Sequence, residues 1–265
     1  MQVRRSHPAA FLRAKITALG KWITNIFVFL FVKNPVMKTI LITGANGNLG
    51  QVVSRRLLDD GFRLLAVEGL AGTGKLPEHE NIEVSELDLS DEMQVRDYIG
   101  NILQKEPDIL AAVLLAGGFA MGKITETGKE SLNRMIDLNF YTAYNLVKPL
   151  FEHFLGKARG GQFIFIGSRP GLNPADGKDF FAYTLSKSML FRLAEVINAE
   201  GKDKGVSATV IVPSTIDTAA NRKAMPGADF SKWVPPSNIA DAISFCLTDT
   251  GRMLRDQVIR IYNNS

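Results

Sequence analysis

Tyr183 and Lys187 stand four residues apart in the run Tyr183-Thr184-Leu185-Ser186-Lys187. A helix through this run puts both side chains on one face. The same face continues through Leu190, Ala194 and Ile197, all apolar. A lysine on an apolar stripe is costly unless its charge is used. An ammonium beside a phenol favours the phenolate and draws the tyrosine pKa down from about 10, which suits a general acid/base. The plain structural alternative is a lysine snorkelling from a helix end.

Two further polar residues interrupt apolar patterns. Ser168 follows the apolar run Gln162–Gly167, at the C-terminal end of an expected strand, where open α/β sheets place ligands. Asn139 falls within the stripe Leu132, Ile136, Asn139, Ala143, Leu146, Leu150, Phe154 of an expected helix over 130–157. A buried amide there needs partners, either water or the lysine through water. Asn139, Ser168, Tyr183 and Lys187 are therefore the candidate catalytic set.

A separate constellation sits near the start of the patterned chain. The run Thr43-Gly44-Ala45-Asn46-Gly47-Asn48-Leu49-Gly50 joins an apolar strand to a helical segment. Glycines at such a turn let backbone N–H groups approach a pyrophosphate, and the helix N-terminus adds positive potential. Glu68 closes the second expected strand, eighteen residues after Gly50. An acid there accepts from a ribose 2′-hydroxyl and repels a 2′-phosphate, favouring NAD(H) over NADP(H). Arg63 and Lys75 lie near enough in sequence to pull the other way. Asp88, with Leu89 after the third strand, is placed either to contact an adenine or to cap the next helix.

These groups need a scaffold, and the pattern supplies one. Strand-like runs fall at Thr39–Thr43, Arg63–Glu68, Ile82–Leu87, Ile109–Ala116, Gln162–Gly167, Ser207–Val212 and Gln257–Tyr262. Helical spacing falls between them, near 49–60, 91–104, 130–157, 182–200 and 236–248. Continuously apolar strands alternating with helices indicate a single-domain, Rossmann-type α/β fold: a doubly wound parallel sheet of about seven strands with helices on both faces. The segment 214–233, with Met225, Phe230 and Trp233, is long enough between a strand and the last helix to serve as a substrate lid.

Composition excludes several other classes. The 265 residues are 46% hydrophobic and 22% charged, as in an ordinary globule. One cysteine, Cys246, and three scattered histidines leave no disulfide framework and no expected metal site. Residues 1–36 carry six basic residues and no acid, and removing those six charges from the net +4 leaves −2 on 37–265. A slightly acidic body argues against nucleic-acid binding. The extension 1–36 ends in the apolar run Trp22–Val32, too short to span a bilayer, and reads as a leader, an interfacial anchor, or sequence upstream of a true start at Met37. The expected location is cytoplasmic, with organelle targeting or membrane tethering as alternatives if 1–36 is retained. The functional domain is expected at 37–265.

Taken together, the turn 43–50, Asp88, Ala116-Gly117-Gly118, Asn139, Ser168, Tyr183/Lys187 and the stretch Pro213 to Thr218 resemble the short-chain dehydrogenase/reductase family over essentially all of 38–265. That resemblance implies NAD(P)-dependent hydride transfer between nicotinamide and a carbonyl or hydroxyl group of a small molecule. It implies that Tyr183 moves the proton, Lys187 lowers its pKa and holds the ribose, Ser168 orients the carbonyl oxygen, and Asn139 anchors a relay water. Ala116, Gly117, Gly118 and Pro213 then line the cofactor, and Thr218 contacts the nicotinamide amide. A homodimer or homotetramer, paired through the helices bearing Asn139 and Tyr183, is also implied, with Leu146, Leu150 and Phe154 assigned either to that contact or to the core.

The chain departs from the family pattern in places. The turn reads TGxxGxxG where TGxxxGxG is common, Leu114 and Leu115 replace paired asparagines, Ser214 replaces a glycine, and Ser168 lies fifteen residues before Tyr183. The stretches 116–122 and 217–233 are similar to those of dihydropteridine reductases. NADH-dependent pterin reduction is therefore one alternative, and a non-catalytic dinucleotide sensor is another.

Overall fold

The computed structural model describes residues 37–69, 74–255 and 257–264, so the extension 1–36 lies outside the described residues. Seven strands form one sheet: β1 (Thr39–Thr43), β2 (Arg63–Glu68), β3 (Ile82–Glu86), β4 (Ile109–Leu114), β5 (Gln162–Ile166), β6 (Ser207–Pro213) and β7 (Gln257–Ile261). Their order is β3-β2-β1-β4-β5-β6-β7, and every pairing is parallel. The chain winds outward from β1 in one direction and then, from β4, in the other. The C-terminal ends of β1 and β4 thus flank the point of reversal, where ligands bind in such sheets.

The helices are α1 (Asn48–Asp59), α2 (Glu92–Lys105), α3 (Lys129–Ile136), α4 (Thr142–Leu155), α5 (Arg169–Leu172), α6 (Phe181–Gly201), α7 (Ala219–Ala224) and α8 (Pro236–Leu247). Strand side chains alternate between two apolar layers. Leu41, Leu65, Phe163, Phe165 and Val210 pack with Val95 and Ile99 of α2, Leu146 and Leu150 of α4, and Leu190 and Ile197 of α6. The alternate residues Ile40, Ile42, Ala66, Ile164 and Ile211 pack with Val53 and Leu57 of α1 and Ile239 and Ile243 of α8. Leu146, Leu150 and Phe154 all lie in the first layer, so they belong to the core and not to a contact between subunits.

The structure corrects three expectations. Strands β3 and β7 are not continuously apolar: Glu83, Val84 and Glu86 are exposed on β3, because an edge strand is only partly covered. The cap of α2 is Asp91, which accepts from the N–H groups of Met93 (2.9 Å) and Gln94 (3.1 Å). Asp88 instead holds Ser90, accepting from its N–H (2.9 Å) and its hydroxyl (2.6 Å). The helix expected over 130–157 is broken by a π-helical turn, Asp137–Tyr141, between α3 and α4. That turn adds one residue to the repeat, so the inward residue of α3 is Met135, while the stripe holds from Asn139 onward.

Candidate active site

The glycine turn is built as a cradle. Gly44 adopts φ +62°, and a Cβ there would lie 3.0 Å from the backbone nitrogen of Ala116. A Cβ on Gly50 would lie 2.0 Å from the Gly44 carbonyl oxygen, so the helix can start this close to the turn only without a side chain. Gly47 caps α1 without any side-chain hydrogen bond, which leaves the first-turn N–H groups of Asn48, Leu49 and Gly50 facing outward. Thr43 is buried, and its hydroxyl accepts from the Ala116 N–H (3.3 Å), tying the ends of β1 and β4 together. The carbonyl of Asn46 accepts from the Gly74 N–H (3.1 Å) and from Gln51 Nε2 (3.2 Å), so the segment after β2 returns to the rim of the turn. An uncapped helix start behind glycines with no room for a Cβ fits a dinucleotide pyrophosphate. Replacing Gly50 with Ala is expected to cost about 1–3 kcal/mol from overpacking. Thermal unfolding and dinucleotide titration of the variant would reveal it as a lower Tm and weaker binding.

Beyond the cradle, Glu68 ends β2 at the same edge of the sheet and is partly exposed. Asp88 lies in the turn after β3, next to Leu87, whose N–H donates to the Glu68 carbonyl (3.1 Å). Leu89 is buried in the core and its carbonyl accepts from Asn145 Nδ2 (3.0 Å). Arg63 is at the opposite end of β2, where it pairs with Glu83 (2.8 Å) and Glu106 (3.0 Å). It therefore cannot read a phosphate at the end bearing Glu68. Lys75 follows Gly74 and stands near the rim.

The four candidate catalytic residues gather beyond the C-terminal ends of β4 and β5. Ser168 is 4% exposed and caps α5, its hydroxyl accepting from the Gly171 N–H (3.1 Å). The same hydroxyl acts on the Tyr183 phenol, drawing its pKa down against the effect of burial. The fifteen-residue separation is taken up by α5 and a 3₁₀ turn, Pro174–Gly177, packed under α6. Lys187, 6% exposed, donates from Nζ to the Ile166 carbonyl at the end of β5 (2.9 Å). Asn139, 1% exposed, accepts from the Gly118 N–H (3.0 Å) and donates to Ser186 Oγ (3.1 Å). A Cβ on Gly117 would lie 2.7 Å from Asn139 Oδ1 and 3.2 Å from Lys187 Nζ, so both head groups meet at that glycine.

Burial pushes the Lys187 ammonium down to about 8 and pushes the Tyr183 phenol up, against the lowering effect of Ser168. The ammonium is itself destabilised by burial and is held by a backbone carbonyl. Among the described residues the partners of Asn139 are a backbone amide and a serine hydroxyl. Ser186 in turn donates to the Tyr183 carbonyl (2.9 Å) and links the asparagine to the helix of the tyrosine.

One wall of the site was not foreseen. Phe119 packs edge-on to the Tyr183 ring at 5.0 Å and lies 5.4 Å from Phe180, yet it is 58% exposed. Its loop is pinned to the segment before α6, where Gly122 donates to Asp179 O (2.8 Å) and accepts from Phe181 (2.9 Å). The sequence signal was an aromatic residue directly after two glycines. On the far side, Pro213 is buried at the end of β6, and the Thr218 hydroxyl caps α7 by accepting from Asn221 (3.2 Å). The segment 214–233 is anchored at its base by hydrogen bonds between Thr215, Asp217 and Val234 (each 2.8 Å). Trp233 is buried beneath Phe230 (4.7 Å), while Met225 stays exposed.

The family model for short chain dehydrogenase matches residues 38–228. The chain belongs to the short-chain dehydrogenase family. As a member of that family it is an oxidoreductase, and the reaction type is hydride transfer with a nicotinamide dinucleotide. A dihydropteridine reductase of Dictyostelium discoideum is 27% identical, over 78% of this chain and 86% of its own. A short-chain type dehydrogenase/reductase from Mycobacterium ulcerans superposes with a TM-score of 0.76 at 21% identity, covering 86% of this chain and 89% of that one. The structure of ElxO with NADP bound gives 0.74 at 24% identity, covering 85% and 97%. Among the described residues, no helix of this short-chain dehydrogenase is long and apolar enough to cross a membrane.

Proposed function

We propose that this short-chain dehydrogenase uses NADH to reduce the carbonyl group of a small molecule, reversibly, with Tyr183 as the proton donor. The observation that carries this reading is the meeting of buried Asn139 and Lys187 head groups at Gly117, with Tyr183 one turn before Lys187 on the same helix face and Ser168 buried at the end of β5. A nicotinamide dinucleotide, when bound, supplies the hydride. The chain's own groups do the rest. The turn 43–50 and the start of α1 hold the pyrophosphate, Glu68 takes the ribose hydroxyl, and Ala116, Gly117 and Gly118 line the path to the nicotinamide. Pro213 and Thr218 close its carboxamide side. Ser168 hydrogen-bonds the substrate oxygen and Tyr183 delivers a proton to that oxygen, both held by a frame that needs no rearrangement. Lys187 holds the nicotinamide ribose, and Asn139 sets the position of Gly118 and of the helix bearing Tyr183.

We assign this activity to 37–265 and read 1–36 as an extension outside the catalytic domain. Pairing of two chains through α4 and α6 is part of the same reading. Exposed Tyr141, Leu185 and Val196 on those helices and the turn before α4 supply apolar surface for it.

The preference for NADH rests on Glu68 at the end of β2 and on the remoteness of Arg63. Titrating the full chain with NADH and NADPH, followed by energy transfer from tryptophan to nicotinamide, is expected to give NADH at least tenfold tighter binding. Tighter NADPH binding would overturn the assignment of Glu68 and point to Lys75 as the phosphate reader.

A second substrate reading is favoured by Phe119. A large ring held beside Tyr183 with its outer face exposed suits a flat, conjugated substrate, and a pterin is one. Assaying turnover of a quinonoid dihydropterin beside a panel of simple aldehydes and ketones separates the two.

A further inference from the structure

The parallel register of β2 and β3 pairs Glu68 with Glu86. Paired residues of neighbouring parallel strands project to the same face, and the strands lie about 4.8 Å apart. The Leu87 N–H donates to the Glu68 carbonyl (3.1 Å), which holds this register at the C-terminal edge of the sheet. With strand order β3-β2-β1, the glycine turn, Glu68 and Glu86 follow one another outward along that edge. Among the described residues neither carboxylate has an ion-pair partner: Arg63 is spent on Glu83 and Glu106 at the far end of the strand. Lys75, held near the turn by the Gly74–Asn46 hydrogen bond, pairs with neither.

We propose that Glu86 is a second cofactor-specificity residue, which excludes a 2′-phosphorylated dinucleotide by charge while leaving an unphosphorylated one unaffected. The inference rests on Glu68 reading the ribose of NADH. Glu86, one strand further out in register with Glu68, would lie beside a ribose that Glu68 held. A 2′-phosphate there carries close to two negative charges. It would meet two adjacent carboxylates at once, with no cation between them. A 2′-hydroxyl needs only one acceptor, and Glu68 supplies it. Glu86 therefore acts on the phosphorylated dinucleotide alone, without contacting NADH.

The test is a set of binding titrations with the full chain and its Glu86→Gln, Glu68→Gln and doubly substituted variants, each with NADH and NADPH, at low and at high salt. Glu86 is exposed on an edge strand and the change is isosteric, so the fold is retained, as a thermal melt will verify. The expected result for Glu86→Gln is an NADH Kd within about twofold of the parent and an NADPH Kd about three- to tenfold tighter. High salt should erase most of that gain, because screening weakens the repulsion in the parent. Glu68→Gln, by contrast, should weaken NADH binding as well as improve NADPH binding. If the parent prefers NADH and Glu86→Gln leaves NADPH unchanged, the inference falls while the reading of Glu68 stands. If Glu86→Gln weakens NADH tenfold or more, Glu86 is a contact residue and the proposed charge-only role is wrong. If the parent prefers NADPH, the reading of Glu68 falls and takes the inference with it.

Discussion

Replacing Tyr183 with Phe should lower kcat for carbonyl reduction by about two to four orders of magnitude, the usual contribution of a positioned acid/base. The ring should remain packed against Phe119, since that contact is edge-on and needs no hydroxyl. Dinucleotide binding should therefore stay within a few-fold of the parent, measured by the same energy transfer. The pH dependence supports the direction. Burial holds the phenol protonated at neutral pH, so the group is charged with a proton in the form that reduction consumes. Near-normal turnover by the variant would remove Tyr183 from the mechanism.

Replacing Lys187 with Met should move activity and stability in opposite directions. Turnover should fall at least a hundredfold, because the contact to the ribose and the charge beside the phenol are both lost. Stability should rise. The folded-state pKa of Lys187, about 8, lies below its ordinary 10.5, so the unfolded chain holds the proton more tightly. The native state therefore gains stability as pH rises from 8 toward 10.5, and below 8 it carries the whole penalty. At 1.36 kcal/mol per pKa unit that penalty is about 3 kcal/mol. Denaturant unfolding at pH 7, 8, 9 and 10 should show this rise in the parent and none of it in Lys187→Met. Cys246, whose thiol burial pushes up to about 11, drifts the other way in both proteins and cancels in the comparison. A parent and a variant with parallel pH profiles would show that Lys187 is not the buried cation.

The elements that carry a single, strong period were legible in the sequence. Strands β1 and β2 and the core of α6 fall where their apolar runs place them, because a central parallel strand is buried on both faces and must be apolar throughout. The glycine turn was legible for a related reason: only glycine satisfies the contacts at Gly44 and Gly50. What escaped depends on contacts between distant parts of the chain. Asp88 and Asp91 are equally good helix caps by type, and only the finished turn decides between them. Arg63 was near Glu68 in sequence but is a full strand away in space. The partners of Asn139 could not be read at all, since Gly118 and Ser186 reach it from two other elements. Burial of the phenol was equally hidden, because spacing along a helix gives proximity and says nothing of desolvation.

The π-helical turn at Asp137–Tyr141 has a consequence for how this protein can vary. A regular helix advances about 100° per residue. The turn is thus a phase adjuster: α3 addresses α6, α4 addresses α2, and the extra residue lets both halves face inward at once. Asn139 sits on the adjuster itself. Removing any one residue of the turn would restore a regular helix and rotate one half away from its partner, taking either the asparagine or the core stripe with it. Chain length at this point is a component of the site, held as strictly as the identity of the side chains around it.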